Sequence, residues 1–185
     1  MNPFPDIIGD TLDLQPFYNV QTQPMGENHV VRYRKWLRPR WSFRATWSLL
    51  DSGQARSISD HVLSVAGAYL PFDWFLWQQF HWIYVPLGVG DGTTTVWTIP
   101  GLATSQQEFF VNANTVVAGT VTAGTGAQGE DRVTISPAVA NGVPIWTNFR
   151  GRRRFTVVYE RDEQPLTRNA ESGQYAFNTT FRQVK

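Results

Sequence analysis

Residues 40–48 read Arg40-Trp-Ser-Phe-Arg-Ala-Thr-Trp-Ser48, and this stretch decides the expected fold. Its apolar residues occupy every second position and are Trp41, Phe43, Ala45 and Trp47. Because successive side chains of a β-strand point to opposite sides, these four share one face. The polar and basic residues between them share the other face. The alternation predicts a strand with one aromatic face and one basic face.

The residues before this strand predict its partner. In residues 28–36 apolar and basic residues partly alternate, as on a two-faced strand. Pro39 stands between the two stretches, where a turn is expected, so we predict a hairpin of residues 28–36 and 40–48. The chain up to about Gly26 is rich in proline and polar residues, and it predicts an extended arm.

One good helix is predicted after the aromatic strand. Asp51 or Ser52 is suited to cap its N-terminus, and Gly67 and Pro71 mark its end. An apolar stripe recurs at helical spacing and consists of Ile58, Val62, Val65 and Tyr69. Amphipathic helices ordinarily face a core, so we expect this stripe to cover a sheet. Residues 72–85 then predict two short aromatic strands.

The composition changes in the middle of the chain. Residues 88–147 are rich in Thr, Val, Gly and Asn, with one Arg and no Lys. The turn Gly90-Asp-Gly92 leads into a predicted strand at 93–99, and further short strands are expected at 109–111, 115–117, 133–135 and 143–146. Residues 152–160 and 175–184 are predicted strands, and like the first strands they are rich in aromatic and basic residues. We therefore predict a mainly β protein with one α-helix. A barrel or sandwich domain is built from residues 1–86 and 148–185, and a small β-module at 87–147 is inserted in it.

The overall composition excludes several classes of protein. Of the 185 residues, 42% are hydrophobic and only 17% charged, which excludes disorder. Cysteine is absent, so there are no disulfides, thiolate metal ligands or cysteine nucleophiles. The net charge of +1 provides no global attraction to nucleic acid or membrane. The apolar stretch 62–85 contains polar residues that are costly in hydrocarbon, and the start lacks a signal-peptide pattern. We expect a soluble protein made in a cytoplasm, without membrane insertion.

The residue patterns of common catalytic sites are missing. His29, His61 and His81 have no metal-ligand spacing, and no Gly-x-Ser-x-Gly elbow occurs. The glycines from Gly88 to Gly92 precede a strand rather than a helix, so we expect a turn instead of a phosphate-binding loop. We expect no enzyme activity, no cofactor and no metal.

Arginine is the more informative residue. Fourteen of the sixteen basic residues are Arg, which favours planar, bidentate contacts. Arginine and tryptophan are enriched in subunit interfaces and lysine is depleted, and we predict an interface formed by Arg32, Arg34, Trp36, Arg38, Arg40, Trp41, Arg44, Arg152, Arg153 and Arg154. Basic residues interleaved with aromatics are also typical of single-strand nucleic-acid binders, although the near-zero net charge favours the interface. Tryptophans that stack on sugars, as in a carbohydrate-binding β-module, are a further alternative.

Several segments, in this order, resemble one family. They are Phe4-Pro5, Gly26-Glu27, Val31-Arg32, Lys35-Trp36, Arg40–Arg44, the predicted helix 55–69, the aromatic stretch 72–84, Gly90-Asp-Gly-Thr-Thr94, Phe155–Asp162 and Tyr175–Val184. The chain resembles the distal tail proteins of long-tailed phages and gene-transfer agents. The likeness covers most of the chain, and its Gly-Asp-Gly-Thr turn is common among phage structural proteins.

The resemblance implies a place in a virion, and another tail-tip or tail-completion structural protein is the alternative within the same setting. It implies a ring, usually of six copies, that joins the tail tube protein to the tail-tip hub protein and surrounds the path of the DNA. The domain built from both chain ends forms the ring, and the inserted module projects outward, in some cases holding side fibres or receptor-binding proteins. The location implied is the tail tip or baseplate, with assembly in the host cytoplasm. In such a conduit we expect most arginines to pair with acids of neighbouring subunits.

Overall fold

The computed structural model describes residues 3–17, 20–24, 30–34, 40–112, 114–161, 165–170 and 172–184, with the backbone alone for 20–24 and 30–34. The fold is mainly β, with one α-helix among these residues, and the prediction of its class is confirmed. The chain packs as two compact units. The first is Met1–Trp74 with Thr156–Lys185, and the second is Phe75–Phe155.

The strands and the helix are numbered in chain order. They are β1 (Thr11–Phe17), β2 (Val20–Pro24), β3 (Val30–Arg34), β4 (Arg40–Leu50), α1 (Ser52–Ser64), β5 (Phe72–Phe75), β6 (Phe80–Val89), β7 (Val96–Thr98), β8 (Gly101–Val111), β9 (Thr115–Val117), β10 (Gly119–Thr122), β11 (Arg132–Ile135), β12 (Pro144–Tyr159), β13 (Leu166–Arg168) and β14 (Tyr175–Gln183). The long strand β12 contributes residues to both units.

The first unit is built on an antiparallel sheet with β4 near its middle. The order is β1-β4-β14 followed by the end of β12, and β13 also pairs with β14. Phe43, Ala45 and Trp47 of β4 are fully buried, so the predicted aromatic face is the core face. Trp41, at the start of the strand, is half-buried.

Aromatic rings fill the core of this unit. The ring centroids of Trp74 and Phe181 lie 4.6 Å apart, and those of Phe4 and Trp47 lie 5.4 Å apart. Most pairs are tilted or edge-to-face, which is the arrangement that the charge distribution of aromatic rings favours. Because Phe4 is 5% exposed, the start of the chain is anchored in the core.

Helix α1 begins at a capping box. Asp51 Oδ1 accepts a hydrogen bond from the Gln54 backbone N–H (2.7 Å), and Gln54 Oε1 accepts one from the Asp51 N–H (3.1 Å). Of the two predicted caps, Asp51 and Ser52, Asp51 is the residue that caps the helix. The predicted stripe is correct for the buried Ile58 and Val65 and wrong for Tyr69, which is 81% exposed because the helix ends at Ser64.

The predicted hairpin of residues 28–36 and 40–48 is wrong. Both edges of β4 are occupied, by β1 on one side and β14 on the other, so no edge remains for β3. Instead β3 pairs with β2, from Val20 opposite Arg34 to Pro24 opposite Val30. The segment predicted as an extended arm therefore contains two strands, β1, which pairs with β4, and β2, which pairs with β3. Pro39 lies outside the described residues.

The second unit contains two antiparallel sheets. One has the order β6-β12-β8-β9, and the other has the order β10-β11-β7. The predicted strand at 93–99 begins only at Val96, because the Asp91 carboxylate accepts hydrogen bonds from the Thr93 and Thr94 backbone N–H groups and holds a turn. The tight turn predicted at Gly90–Gly92 is confirmed.

Two predicted strands, 143–146 and 152–160, are one strand of sixteen residues, β12. The glycine between them does not interrupt it. A Cβ at Gly151 would lie 3.0 Å from the Leu102 carbonyl oxygen and 3.2 Å from Thr104 Cα, so glycine here permits β8 to approach closely. Strand β8 extends from Gly101 to Val111, whereas the sequence predicts a strand only at 109–111. The first half of β8 gives no strand signal because its residues are mostly polar and do not alternate with apolar ones.

Candidate functional site

Five of the seven residues in the first predicted interface cluster, which runs from Arg32 to Arg44, lie on β3 and β4. Arg32 and Arg34 belong to β3, of which the backbone is described, whereas Trp36 and Arg38 lie outside the described residues. The remaining three residues of this cluster belong to β4.

On β4 the predicted basic face is the outer face of the sheet. Arg44 is exposed and lies opposite Asp13 of β1, so charges of opposite sign are neighbours across the pair of strands. Arg40 and Trp41 are half-buried, and the Trp41 backbone N–H donates to Gln183 Oε1 (3.1 Å). These three residues are thus held in the sheet of the first unit.

The second cluster, Arg152–Arg154, belongs to the second unit, where its side chains contact other residues of the same unit. Arg152 Nε donates a hydrogen bond to the Leu76 carbonyl oxygen (2.8 Å). The Arg153 guanidinium carbon lies 5.0 Å from the ring centroid of Trp82 and 4.7 Å from that of Phe155, which is cation–π geometry.

Arg154 pairs with a buried acid, Glu130, which was not among the predicted site residues. Its Nη1 donates to Glu130 Oε1, and Glu130 is 1% exposed. The other carboxylate oxygen accepts the Gln128 backbone N–H (2.9 Å). For Arg154 the paired acid therefore comes from the same chain. The signal in the sequence was two adjacent acids, Glu130 and Asp131, in a segment that is otherwise nearly uncharged.

Asp131 is buried beside Glu130 and links strand β8 to the loop that follows β10. It is 3% exposed, its Oδ2 accepts the Thr104 backbone N–H (2.8 Å), and its Oδ1 accepts the Gly124 N–H (3.0 Å). Each carboxylate oxygen of both acids thus has a hydrogen-bond donor within the unit. This arrangement stabilises buried charge, and it suits a structural role better than proton transfer.

An aromatic strip crosses the outward face of the sheet β6-β12-β8-β9. Along β12 the odd residues 145, 147 and 149 are buried, so the even residues point outward. Trp146 lies opposite Pro86 of β6 and Phe110 of β8, and Phe110 lies opposite Val116 of β9. The Tyr84 ring leans toward Phe110, with centroids 5.7 Å apart and planes at 35°.

Two β-bulges frame this strip. In β6, Ile83 and Tyr84 together lie opposite Asn148 of β12. In β8, on the other side of β12, Gln106 and Gln107 together lie opposite Phe149. Tyr84 and Gln106 both have a backbone φ of 50°, in the left-handed region that non-glycine residues rarely adopt. The Tyr84 N–H donates to Asn148 Oδ1 (2.9 Å), and Asn148 Nδ2 donates to Glu108 Oε2 (2.8 Å). The side chain of Asn148 therefore stabilises the bulge.

The second unit also contains a cavity of about 400 Å³ behind the β8–β9 hairpin. It is lined mainly by apolar residues of the hairpin and of the segment that follows β11, among them Val111, Val117, Ile135, Pro137 and Val139. Such a lining offers apolar contact and few polar groups to orient a ligand.

The two described histidines, His61 and His81, do not form a site. His61 is buried in the first unit, where its ring packs 4.6 Å from Phe72 and burial lowers its pKa to about 4, so it is neutral at pH 7. His81 is exposed on β6, and His29 lies outside the described residues. Within the described part of the chain no group of three His, Asp or Glu residues is placed to hold a metal ion. The same part has no helix long and apolar enough to span a bilayer.

No protein-family model matches the chain, and no curated protein matches it.

Proposed function

We propose that the protein is a structural subunit of a virion tail, forming a ring at the distal end of the tail tube. The observation that carries the proposal is the division of the chain. Residues from both ends of the sequence form one unit, and the intervening residues, Phe75–Phe155, form a second unit. A ring domain interrupted by an inserted module is what the resemblance to distal tail proteins implies.

In this proposal several copies, most simply six, close a ring between the tail tube protein and the tail-tip hub protein. DNA passes through the ring without being held, and side fibres or receptor-binding proteins attach to the second unit. The protein acts at the tail tip and assembles in the host cytoplasm, without catalysis or a cofactor.

A ring subunit needs contact surfaces, and the first unit has candidates. Heterologous contacts between identical subunits close into rings when the rotation allows it. At the end of α1, Leu63 is 75% exposed and Tyr69 81% exposed, and Leu70 beside them is 43% exposed. Large exposed apolar side chains that are near one another in the sequence, as these three are, suit an interaction surface. A neighbouring subunit would cover them.

The arginine contacts support a structural role over single-strand nucleic-acid binding. Arg152, Arg153 and Arg154 contact a carbonyl oxygen, two aromatic rings and a carboxylate of their own unit. Guanidinium groups that are engaged in this way have fewer donors to offer to phosphates. A nucleic-acid binder instead presents a positively charged groove along its surface.

The direct test is the mass of the purified protein in solution together with negative-stain electron microscopy. We expect closed rings with a central hole. Monomers at every concentration at which the protein stays soluble would contradict the proposal.

A paired variant tests the contact surface. Leu63→Glu with Tyr69→Glu places two carboxylates where the proposal puts a neighbouring subunit, so rings are expected to dissociate. Ser57→Glu is the control, because Ser57 is an exposed polar residue of helix α1 that lies on a different helix face from Leu63. Rings that persist in the paired variant would place the contact elsewhere.

A further inference from the structure

We infer that the outward face of the sheet β6-β12-β8-β9 is a carbohydrate-binding surface, with Tyr84 and Phe110 as its stacking platform. The inference goes beyond the proposed ring and does not depend on it. It follows from the geometry of the two rings, the polar groups beside them and the strained backbone that holds one of them.

The two rings form an aromatic pair on the outward face. Their centroids are 5.7 Å apart and their planes are tilted by 35°. Tyr84 is 46% exposed, and Val116, across from Phe110, is 69% exposed. One face of a pyranose ring carries C–H groups, which pack on the electron-rich face of an aromatic ring. The platform therefore presents what a sugar ring needs.

The polar groups beside the rings suit sugar hydroxyls. Glu108 and Arg150 are exposed on the same outward face, one supplying hydrogen-bond acceptors and the other donors. The hydrogen bond from Asn148 Nδ2 to Glu108 Oε2 fixes the carboxylate next to Phe110. Hydroxyl groups both donate and accept, so they match this mixed set. With one acid and one base, this face has no net positive charge to attract a phosphate backbone.

The backbone holds the platform in place before any ligand arrives. At Tyr84 a φ of 50° costs about 1–3 kcal/mol for a non-glycine residue. If the bulge were needed only for strand packing, glycine or asparagine would be expected at this position, because both tolerate a positive φ. The bulge instead re-aims a tyrosine outward, and Asn148 Oδ1 accepts the N–H that the bulge leaves outside the ladder. Strained aromatic residues on a preformed surface are typical of binding sites.

The test is a titration of the full chain with neutral hexasaccharides. The probes are maltohexaose, cellohexaose and N-acetylchitohexaose, followed by the intrinsic tryptophan fluorescence and by saturation-transfer NMR. We expect saturable binding of at least one probe. Tyr84→Ala and Phe110→Ala are each expected to weaken it at least about tenfold, because each removes half of the platform.

Three further variants keep the test specific. Val96→Ala truncates an apolar residue of the sheet β10-β11-β7 that is as exposed as Tyr84 (47% against 46%), and it is expected to leave the affinity unchanged. Glu108→Gln keeps the shape and the acceptor oxygen, so it is expected to retain most of the affinity that Glu108→Ala loses. A near-ultraviolet circular dichroism spectrum like that of the parent shows that each variant is folded. No saturable binding of any probe, or equal affinity in folded Tyr84→Ala, would overturn the inference. It would leave a protein partner as the ligand of this face.

Discussion

The guanidinium of Arg154 donates to the carboxylate of Glu130, and this pair joins β12 to the loop before β11 inside the second unit. The carboxylate is almost completely buried, whereas the side chain of Arg154 keeps 31% of its exposure. A basic residue that the sequence placed at a subunit interface thus has its counter-charge in its own chain. The positive charge of Arg154 compensates the negative charge of the buried Glu130 carboxylate.

Glu130→Gln removes that counter-charge while keeping the shape of the side chain. We expect the free energy of unfolding to fall by about 2 kcal/mol, since Arg154 loses its ion pair but remains partly hydrated. Asp60→Asn is the control, because Asp60 pairs with Arg56 in full solvent and such pairs contribute about 0–1 kcal/mol. Urea unfolding followed by tryptophan fluorescence measures both, and equal losses would contradict this assignment.

Phe4 tests the anchoring of the chain start. Its ring packs against Trp47, His61 and Phe181, so Phe4→Ala is expected to cost about 3–5 kcal/mol of unfolding free energy. Ile8→Ala, four residues further and 81% exposed, is expected to cost less than about 0.5 kcal/mol. Thermal unfolding of the two variants distinguishes them. A small effect at Phe4 would mean that the first residues do not belong to the core.

His61 makes the stability depend on pH. Its pKa is lowered to about 4 in the folded protein, from about 6.5 in the unfolded chain, because burial disfavours the charged ring. The unfolded state therefore takes up a proton first as the pH falls. The stabilisation is complete above pH 6.5 and is lost toward pH 4, with about 2 kcal/mol lost between pH 7 and 5.

His61→Phe is expected to remove that part of the pH dependence, since phenylalanine fits among the same rings and cannot be protonated. His81→Gln, at an exposed position, is expected to leave the pH dependence as it is. Unfolding free energies measured from pH 7.5 to 4.5 compare the three proteins. Parallel curves for the parent and His61→Phe would show that His61 titrates normally.

Gly90 tests the turn that begins the middle segment. A Cβ here would lie 2.4 Å from the Ala140 carbonyl oxygen and 2.6 Å from that of Val139, and both are backbone atoms. Gly90→Ala is therefore expected to cost about 2 kcal/mol or more.

Gly53→Ala is the matched control for Gly90→Ala. The nearest atom to a Cβ at Gly53 is the movable Asp51 Oδ1, at 3.3 Å. Its effect on the unfolding free energy is expected to stay within about 1 kcal/mol. If urea unfolding shows Gly90→Ala to be as stable as the parent, the loop is free to move away.

The local features of the fold were predictable because they depend on neighbours in the sequence. The alternation of Phe43, Ala45 and Trp47 identifies a buried strand face, and Asp51 with Gln54 identifies a helix start. Each depends on a spacing of two or three residues, which the chain displays directly. The turn at Gly90–Gly92 is of the same kind.

Pairing between distant segments was decided only by the tertiary structure. Strand β4 pairs with β14, where Phe43 lies opposite Phe181, 138 residues further along the chain, and β1 occupies its other edge, so no edge is left for β3. The fate of the arginines likewise depends on residues far away in sequence, Leu76 for Arg152 and Glu130 for Arg154.

The aromatic platform shows the same division. The sequence predicted that Tyr84 and Phe110 lie in β-strands. It did not predict the bulge at Tyr84 or the contact of the two rings, which belong to the strands on either side of β12. A spacing of a few residues specifies which side of a strand a residue takes. Which strands become neighbours, and where their ladders slip, depends on packing summed over the whole unit, so only the folded structure reveals it.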